Sequence, residues 1–491
     1  MRLLPHLVSP QKRADGFRRR LAVLGTAALL LGALFFGVRS LTGPSSGGSE
    51  ALALPGGERT RYELHLRYTA GEETLTVTED IRWTNTEPAE ISRMCLRVAA
   101  KAYERENTSP AAAADVWERG YPHGFDEAAL IQEGCWVDDE LIRPLPDPEQ
   151  PVLMWLDRPV AAGETVSVKL RYRLKLPDCA GLFGRAGGVV RLMQALPVMA
   201  ARLDESWDAA GLAAYGDPQE TGLSDVQVTA ELPQGYRLVT GPEAGVNQLS
   251  LLIVPDGLAR ADAEISGTGF TVLAGTKGRA DAILSAAKRV WPVYARLYGS
   301  LPLKRLTVVS LPLTDSGFSA PGVVLIDDAL SDAELEHRLA YWLAGQWFGW
   351  ALGADRARDA WFICAARQWA ALRYVRATAG ADAEADLRRL WVDLPMREDL
   401  HAAVTPGTPP DGFPDLATYR AVLDGRAAAF LYALDTWTDG GFDALLGRFV
   451  RQNAFTRVDR EALLQAVYAA SGRDASPLMA DWLDTYIMET P

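Results

Sequence analysis

The apolar residues of this chain change their spacing once, and that change limits the fold more than any other feature. From about Arg59 to Thr276 they alternate with polar ones in runs such as "RYELHLRY", "ETLTVTEDIRWTN", "TVSVKLRYRLKL", "SDVQVTAELPQGYRLVTG" and "FTVLAG". Period-two alternation broken by turn residues predicts antiparallel strands with one buried face. The stretch "KAYERENTSPAAAADVWERGYPHGFD" interrupts the alternation and predicts a long loop or short helix at the surface. After Gly278 the spacing becomes helical, beginning with "ADAILSAAKRVWPVYARLYGSL", and two strand-like runs, "RLTVVSLPL" and "GVVLIDDAL", interrupt it. Ser331 and Glu334 form a capping-box signature, followed by Leu335, Leu339, Trp342, Leu343 and Trp347 at helical spacing up to Gly349. A second helix is predicted from about Asp359, with Trp361, Ala365, Gln368 and Leu372 on one stripe.

The first 40 residues are of another kind. Arg2, Lys12, Arg13 and Arg18 to Arg20 precede 18 uncharged residues, Leu21 to Val38, near the minimum length for crossing a bilayer. Arg39 follows, and the nearest Ala-x-Ala, at Ala51 to Ala53, lies far downstream, so an uncleaved anchor is expected rather than a cleaved signal peptide. The positive charge on the N-terminal side places that end in the cytoplasm and the rest outside, a single-pass plasma-membrane arrangement. The expected organisation is a tail at 1–20, an anchor at 21–38, a flexible linker at 39–58, a β domain at 59–276 and an α-rich domain with a small sheet at 277–491.

Charge and cysteine content exclude several functions. Residues 1–40 hold seven Lys/Arg and one Asp, so the chain's net −13 leaves −19 for the remainder. Such acidity repels nucleic acid, leaving a peptide or a membrane protein as expected partner, with the bilayer contacted through the anchor. The four cysteines, Cys95, Cys135, Cys179 and Cys364, have no zinc-knuckle or redox spacing. An oxidising location permits a disulfide, with Cys95 and Cys135 the expected pair. There is no G-x-S-x-G, P-loop or dinucleotide fingerprint. The acidic clusters Asp327-Asp328 and Asp138-Asp139-Glu140 are expected to be solvated turns, and Trp347, Trp350 and Trp361 to be core.

The run from Tyr341 to Gly349, "YWLAGQWFG", resembles the metal helix of the aminopeptidase N family of zinc peptidases, the gluzincins. In that family two histidines four residues apart leave one helix face, the Glu between them activates the metal-bound water, and QWFG follows. A Glu separated from the second His by eighteen residues is the third ligand, and here eighteen residues separate Gly345 from Cys364. The resemblance therefore places Tyr341 and Gly345 at the two His positions, Trp342 at the base and Cys364 at the third ligand. "GFSAPG" is similar to the family's exopeptidase loop, with Ser319 where a Glu grips the substrate's amino terminus. "AVLDGRA" is similar to the segment bearing the transition-state Tyr, which falls at Leu423. "YPHGFD", "LPVMAARLDESWD" and "AYGDPQETGLSDVQVTAELPQGYRLVTG" resemble bacterial membrane-anchored members.

The resemblance implies an antiparallel β domain followed by a thermolysin-like α+β domain, over roughly residues 60 to 480. It also implies six site positions without their chemistry: no catalytic residue, no metal ligand, no cofactor, and a catalytically inactive binding or scaffold module. The alternative is a zinc metallo-aminopeptidase with a non-standard site. His337, one turn before Tyr341, could join Tyr341 and Cys364 as ligand or serve Cys364 as base. The simpler expectation is a partly exposed helix residue beside a buried, inert thiol.

Overall fold

The structure, a computed structural model, describes residues 50–398 and 403–486. The expected cytoplasmic tail and anchor, 1–20 and 21–38, and the start of the linker lie outside the described residues. Among the described residues no helix is long and apolar enough to cross a membrane.

The alternating runs do form strands, and their alternation is visible as burial. Thr60–Thr69 buries Tyr62, Leu64, Leu66 and Tyr68 and exposes the residues between them. With Thr74–Thr84, Thr165–Lys175, Ala129–Val137, Glu140–Leu141 and Ser224–Glu231 it makes a six-stranded sheet. That sheet is not wholly antiparallel as expected: Thr60–Thr69 pairs in parallel with Ser224–Glu231, the returning chain that closes its edge. Two four-stranded sheets and a two-stranded one complete the β part. One contains Val189–Met193 and Ser250–Pro255, strands buried on both faces. Val190, Leu192, Leu251 and Ile253 pack into the β core, whereas Val189, Met193, Leu252 and Val254 pack against Val309, Leu313 and Phe318 of the second part.

The second part is a five-stranded sheet covered by helices. Its order is Ala259–Ile265, Thr268–Ala274, Arg305–Leu311, Val323–Asp327 and, antiparallel at the edge, Gly317–Ala320. The first two strands precede residue 276, where the alternating texture ends, yet Thr268–Ala274 pairs in parallel with Arg305–Leu311. Alternation alone therefore groups them with the wrong sheet. Helix α1 (Lys277–Tyr298), α2 (Asp332–Ala344), α3 (Ala360–Ala379) and α4 (Ala427–Trp437) form the helical layer. The capping box exists, with the Ser331 N–H donating to Glu334 Oε2 at 3.3 Å. Trp347, Trp350 and Trp361 are core, as expected.

Several sequence expectations are corrected. All four cysteines are free and buried; Cys95 lies in Met94–Arg97 of a four-stranded sheet and Cys135 in the six-stranded one, so the expected pair does not form. The linker is docked at Leu52 rather than free: Leu52 is buried and its N–H donates to the Ser300 carbonyl at 2.8 Å. Asp327 is not a solvated turn residue, being 4% exposed and paired with Arg119 at 2.5 Å. Asp138, Asp139 and Glu140 are exposed at a turn, as expected.

A carboxyl group sits inside the β core. Glu79 is fully buried and accepts a hydrogen bond from Tyr172 at 2.8 Å, and burial pushes its carboxyl up from 4.5 to about 8. The folded chain keeps this proton at pH values where the unfolded chain has lost it. Stability therefore falls as pH rises from 4.5 toward 8, with this group contributing at most ~1.4 kcal/mol per pH unit. Unfolding of the Glu79→Gln variant, followed over that range, is expected to lack this slope; equal slopes in the two chains would refute it.

Candidate functional site

Helix α2 ends on the edge strand Gly317–Ala320 with almost nothing between them. A Cβ at Gly345 would lie 2.6 Å from both Cβ and Oγ of Ser319, closer than any real contact. The next residue, Gln346, is fully buried and its carboxamide bridges to the strand. Nε2 donates to Ser319 Oγ and to the Ala320 carbonyl, both at 2.8 Å, and Oε1 accepts from the Gly322 N–H at 2.9 Å. Ser319 is only 3% exposed and is thus a structural partner of Gln346. The chain then turns at Gly349, whose φ of 142° suits only glycine and whose carbonyl accepts from Asn247 Nδ2 at 2.7 Å.

Tyr341 and Trp342 lie about one turn before Gly345 in α2, and the other resemblance positions come from α3 and the turn before α4. The Tyr341 hydroxyl, buried, donates to Asp424 Oδ1 at 2.7 Å. The Trp342 ring meets Tyr341 edge to face, presses on Gly317 and donates to Ser316 Oγ at 3.0 Å. Cys364 on α3 lies 3.4 Å from the Tyr419 hydroxyl, and burial first, then the Asp424 charge, pushes its thiol up to about 12. Leu423 is fully buried in the π-helical turn Ala421–Arg426 that leads into α4. The side chain of that turn that pairs with Tyr341 is its neighbour Asp424, which the sequence reading missed. The lone acid in the apolar run "AVLDGRAAAF" was the available signal.

Zinc needs three good protein donors in a tetrahedron. At the corresponding positions stand a hydroxyl engaged with a carboxylate, a glycine, and a thiol that stays protonated. These residues do not fit the metal. Among the described residues no three His, Cys, Asp or Glu side chains are grouped so as to hold one.

His337 departs from the expectation of partial exposure. It is 5% exposed, stacked on Trp391 with ring centroids 4.7 Å apart, and its Nε2 lies 3.4 Å from Gln368 Nε2. Burial, reinforced by the Arg338 charge, lowers it to about 3, so it is neutral at ordinary pH. The partners of His337 and Cys364 are different residues, and no dyad is formed.

A cavity of about 300 Å³ opens between the two parts, with Tyr341, Trp342 and Cys364 on its wall. The interrupting insert, expected at the surface, supplies Tyr103, Pro110, Ala111 and Val116 to the opposite wall as short helical turns. It is pinned there by Asp115, which accepts from the Tyr215 hydroxyl at 2.5 Å and the Leu416 N–H at 2.8 Å. Beneath lies a buried charge cluster that the sequence reading also missed. Asp217 pairs with Arg367 at 2.6 Å and Arg356 at 3.1 Å, and Glu220 pairs with Arg356 at 2.6 Å. Burial alone would raise the Asp217 carboxyl, but the two guanidiniums outweigh it and hold it below its ordinary value. Arg420 bridges Asp315 and Asp424, at 3.6 Å from the latter.

No protein-family model matches the chain, and no curated protein matches it. Solved structures do. The chain is similar to the M1 zinc metallopeptidase from Deinococcus radiodurans, with TM-score 0.59, 16% identity, and coverage of 90% of this chain and 98% of that one. A point mutant of that enzyme matches at TM-score 0.58 and 16% identity, over 90% of this chain and 98% of the mutant. The mutant bound to a Tyr-Ser-Ala substrate also matches at TM-score 0.58 and 16% identity, over 88% of this chain and 95% of that one. At this identity the likeness is one of fold. The resemblance read from the sequence is thus borne out as a multi-domain β and α+β architecture like that of the M1 peptidases, the aminopeptidase N family.

The contact between α2 and the edge strand predicts a coupled pair of substitutions. Gly345→Ala is expected to destabilise the chain by about 1–3 kcal/mol through overpacking against Ser319. In denaturant unfolding, adding Ser319→Gly should recover at least ~1 kcal/mol of that loss. Strict additivity of the two changes would show that the approach is looser than described.

Proposed function

We propose that this chain is a membrane-anchored, extracytoplasmic protein with an aminopeptidase-like fold that does not cleave peptides and serves as a binding or scaffold module. One observation carries the reading. Where the M1 resemblance places two histidine ligands and the glutamate between them, the chain has Tyr341, Gly345 and Trp342, and each has a packing role. Tyr341 holds Asp424, Gly345 admits Ser319, and Trp342 covers Gly317. A glycine and an indole cannot bind zinc or take a proton from water, and Leu423 cannot donate to an oxyanion. The anchor rests on Leu21 to Val38 and the basic residues before them, which put the N-terminus in the cytoplasm. The acidic remainder favours a peptide or a membrane protein as partner over nucleic acid.

The full chain, purified in detergent, is expected to carry far less than one zinc per molecule by elemental mass spectrometry. It should release no product from aminoacyl reporter substrates that a chelator suppresses. Stoichiometric zinc with chelator-sensitive cleavage would overturn the reading in favour of a metallo-aminopeptidase with a non-standard site.

A further inference from the structure

The end of the molecule where the linker docks is charged oppositely to the rest. Residues 282–314 and 444–458 hold no Asp or Glu, in a chain with 63 of them. The first stretch covers most of α1, the loop after it and the strand Arg305–Leu311; the second covers most of helix α5 (Phe442–Gln452). The fold brings both to the linker. Ala51 pairs with Ser300, and the Ser300 N–H donates to the Glu50 carbonyl at 3.0 Å. From the other side, Gly447 lets α5 close on the end of α1. A Cβ there would lie 2.6 Å from the Leu297 carbonyl oxygen, which accepts from Arg451 Nη1 at 3.2 Å.

Four cations at this end are left unneutralised. Arg296, Lys304, Arg305 and Arg448 are exposed and make no ion pair among the described residues. Arg296 and Arg448 adjoin the two residues of the helix contact, and Lys304 and Arg305 open the strand after the Ser300 loop. The acids nearby are few. Glu50 is paired with Arg451 at 3.7 Å. Glu264 stands two strands from Arg305 across Gly269, about 10 Å away. Glu243 follows Pro242, which lies with Leu303 beside Gly322. Both are exposed, and neither pairs with the four cations. The patch therefore keeps a positive surplus although residues 41–491 are strongly acidic overall.

Chain length limits where this end can be. Eleven residues, 39–49, separate Val38 from Glu50, and fully extended they span about 40 Å. A globule of this size is roughly 55 Å wide. With the linker docked, the opposite end cannot rest on a bilayer that holds Leu21 to Val38, whereas this end can. We infer that it is a membrane-contact face, on which Arg296, Lys304, Arg305 and Arg448 engage the phosphates of anionic phospholipids. The inference rests on the anchor of the proposed function and adds an electrostatic contact that orients the folded part. Each cation near such a surface favours contact by roughly 5-fold.

Energy transfer to the bilayer tests it. The four native cysteines are buried, so Gln452→Cys, at an exposed position one turn from Arg448, takes a donor dye selectively. The labelled full chain is placed in phosphatidylcholine vesicles carrying headgroup acceptors, with or without phosphatidylglycerol. Phosphatidylglycerol is expected to raise transfer by ~2-fold or more at low salt, and about 1 M salt should cancel the rise. Replacing the four cations together, by Arg296→Gln, Lys304→Gln, Arg305→Gln and Arg448→Gln, should turn the rise into a fall, because the acidic remainder is repelled. Thermal unfolding checks the variant, and the lipid and salt dependence of the unsubstituted patch decides alone if the variant misfolds. Unchanged or falling transfer with the patch intact, or a rise that survives in the folded variant, would overturn the inference. Flotation with phosphatidylcholine vesicles at high salt reports the anchor separately: its loss sinks the anchored reading, while the response to phosphatidylglycerol still reports the patch.

Discussion

Everything at the centre of this molecule depends on helix α2 lying directly against the edge strand Gly317–Ala320. Gly345 permits that approach because it has no Cβ, and Gln346 fixes it with three hydrogen bonds at 2.8–2.9 Å. A histidine at position 345 would have to displace Ser319, and with it the Gln346 bridge. The absence of a metal ligand there and the closeness of the helix to the sheet are one fact. The tight seat of α2 also orients the turn before Gly345, so that Tyr341 reaches Asp424 in the π-helical turn and Trp342 covers Gly317 of the same edge strand.

The second constraint is the joint between the two parts. The strands Val189–Met193 and Ser250–Pro255 present one face to each core, which makes the joint an apolar continuation of both. Across it run the buried pairs Asp217 with Arg367 and Glu220 with Arg356, linking the "GDPQE" loop of the β part to α3 and the turn before it. Breaking one member of such a pair would leave the other charge buried and unmatched, a loss typically of ~3–5 kcal/mol. The cavity lies beside this cluster, where the joint is not filled.

Elements with one exposed face were legible in the sequence. Thr60–Thr69 and Thr165–Lys175 alternate along their full length, and burial follows letter by letter. The capping box at Ser331 marked the start of α2. What could not be read depends on which strand lies beside which. The pairing of Thr268–Ala274 with Arg305–Leu311, the separation of Cys95 from Cys135 and the parallel return of Ser224–Glu231 are long-range choices that alternation does not encode. The eighteen-residue spacing did locate Tyr341, Trp342 and Cys364, all of which reach the cavity. It gave no hint of Asp424 or the Asp217 cluster, whose roles arise from partners up to 150 residues away. His337 was misjudged because its cover, Trp391, arrives from a segment with no local relation to α2.

A hydrogen bond between Tyr341 and Asp424 stands where the resemblance places the first metal ligand. The most direct measurement is a double-mutant cycle in denaturant unfolding with Tyr341→Phe and Asp424→Asn. The expected coupling between the hydroxyl and the carboxylate is about 1–3 kcal/mol, unchanged by added zinc or chelator. A coupling near zero, or one that appears only when zinc is bound, would contradict it.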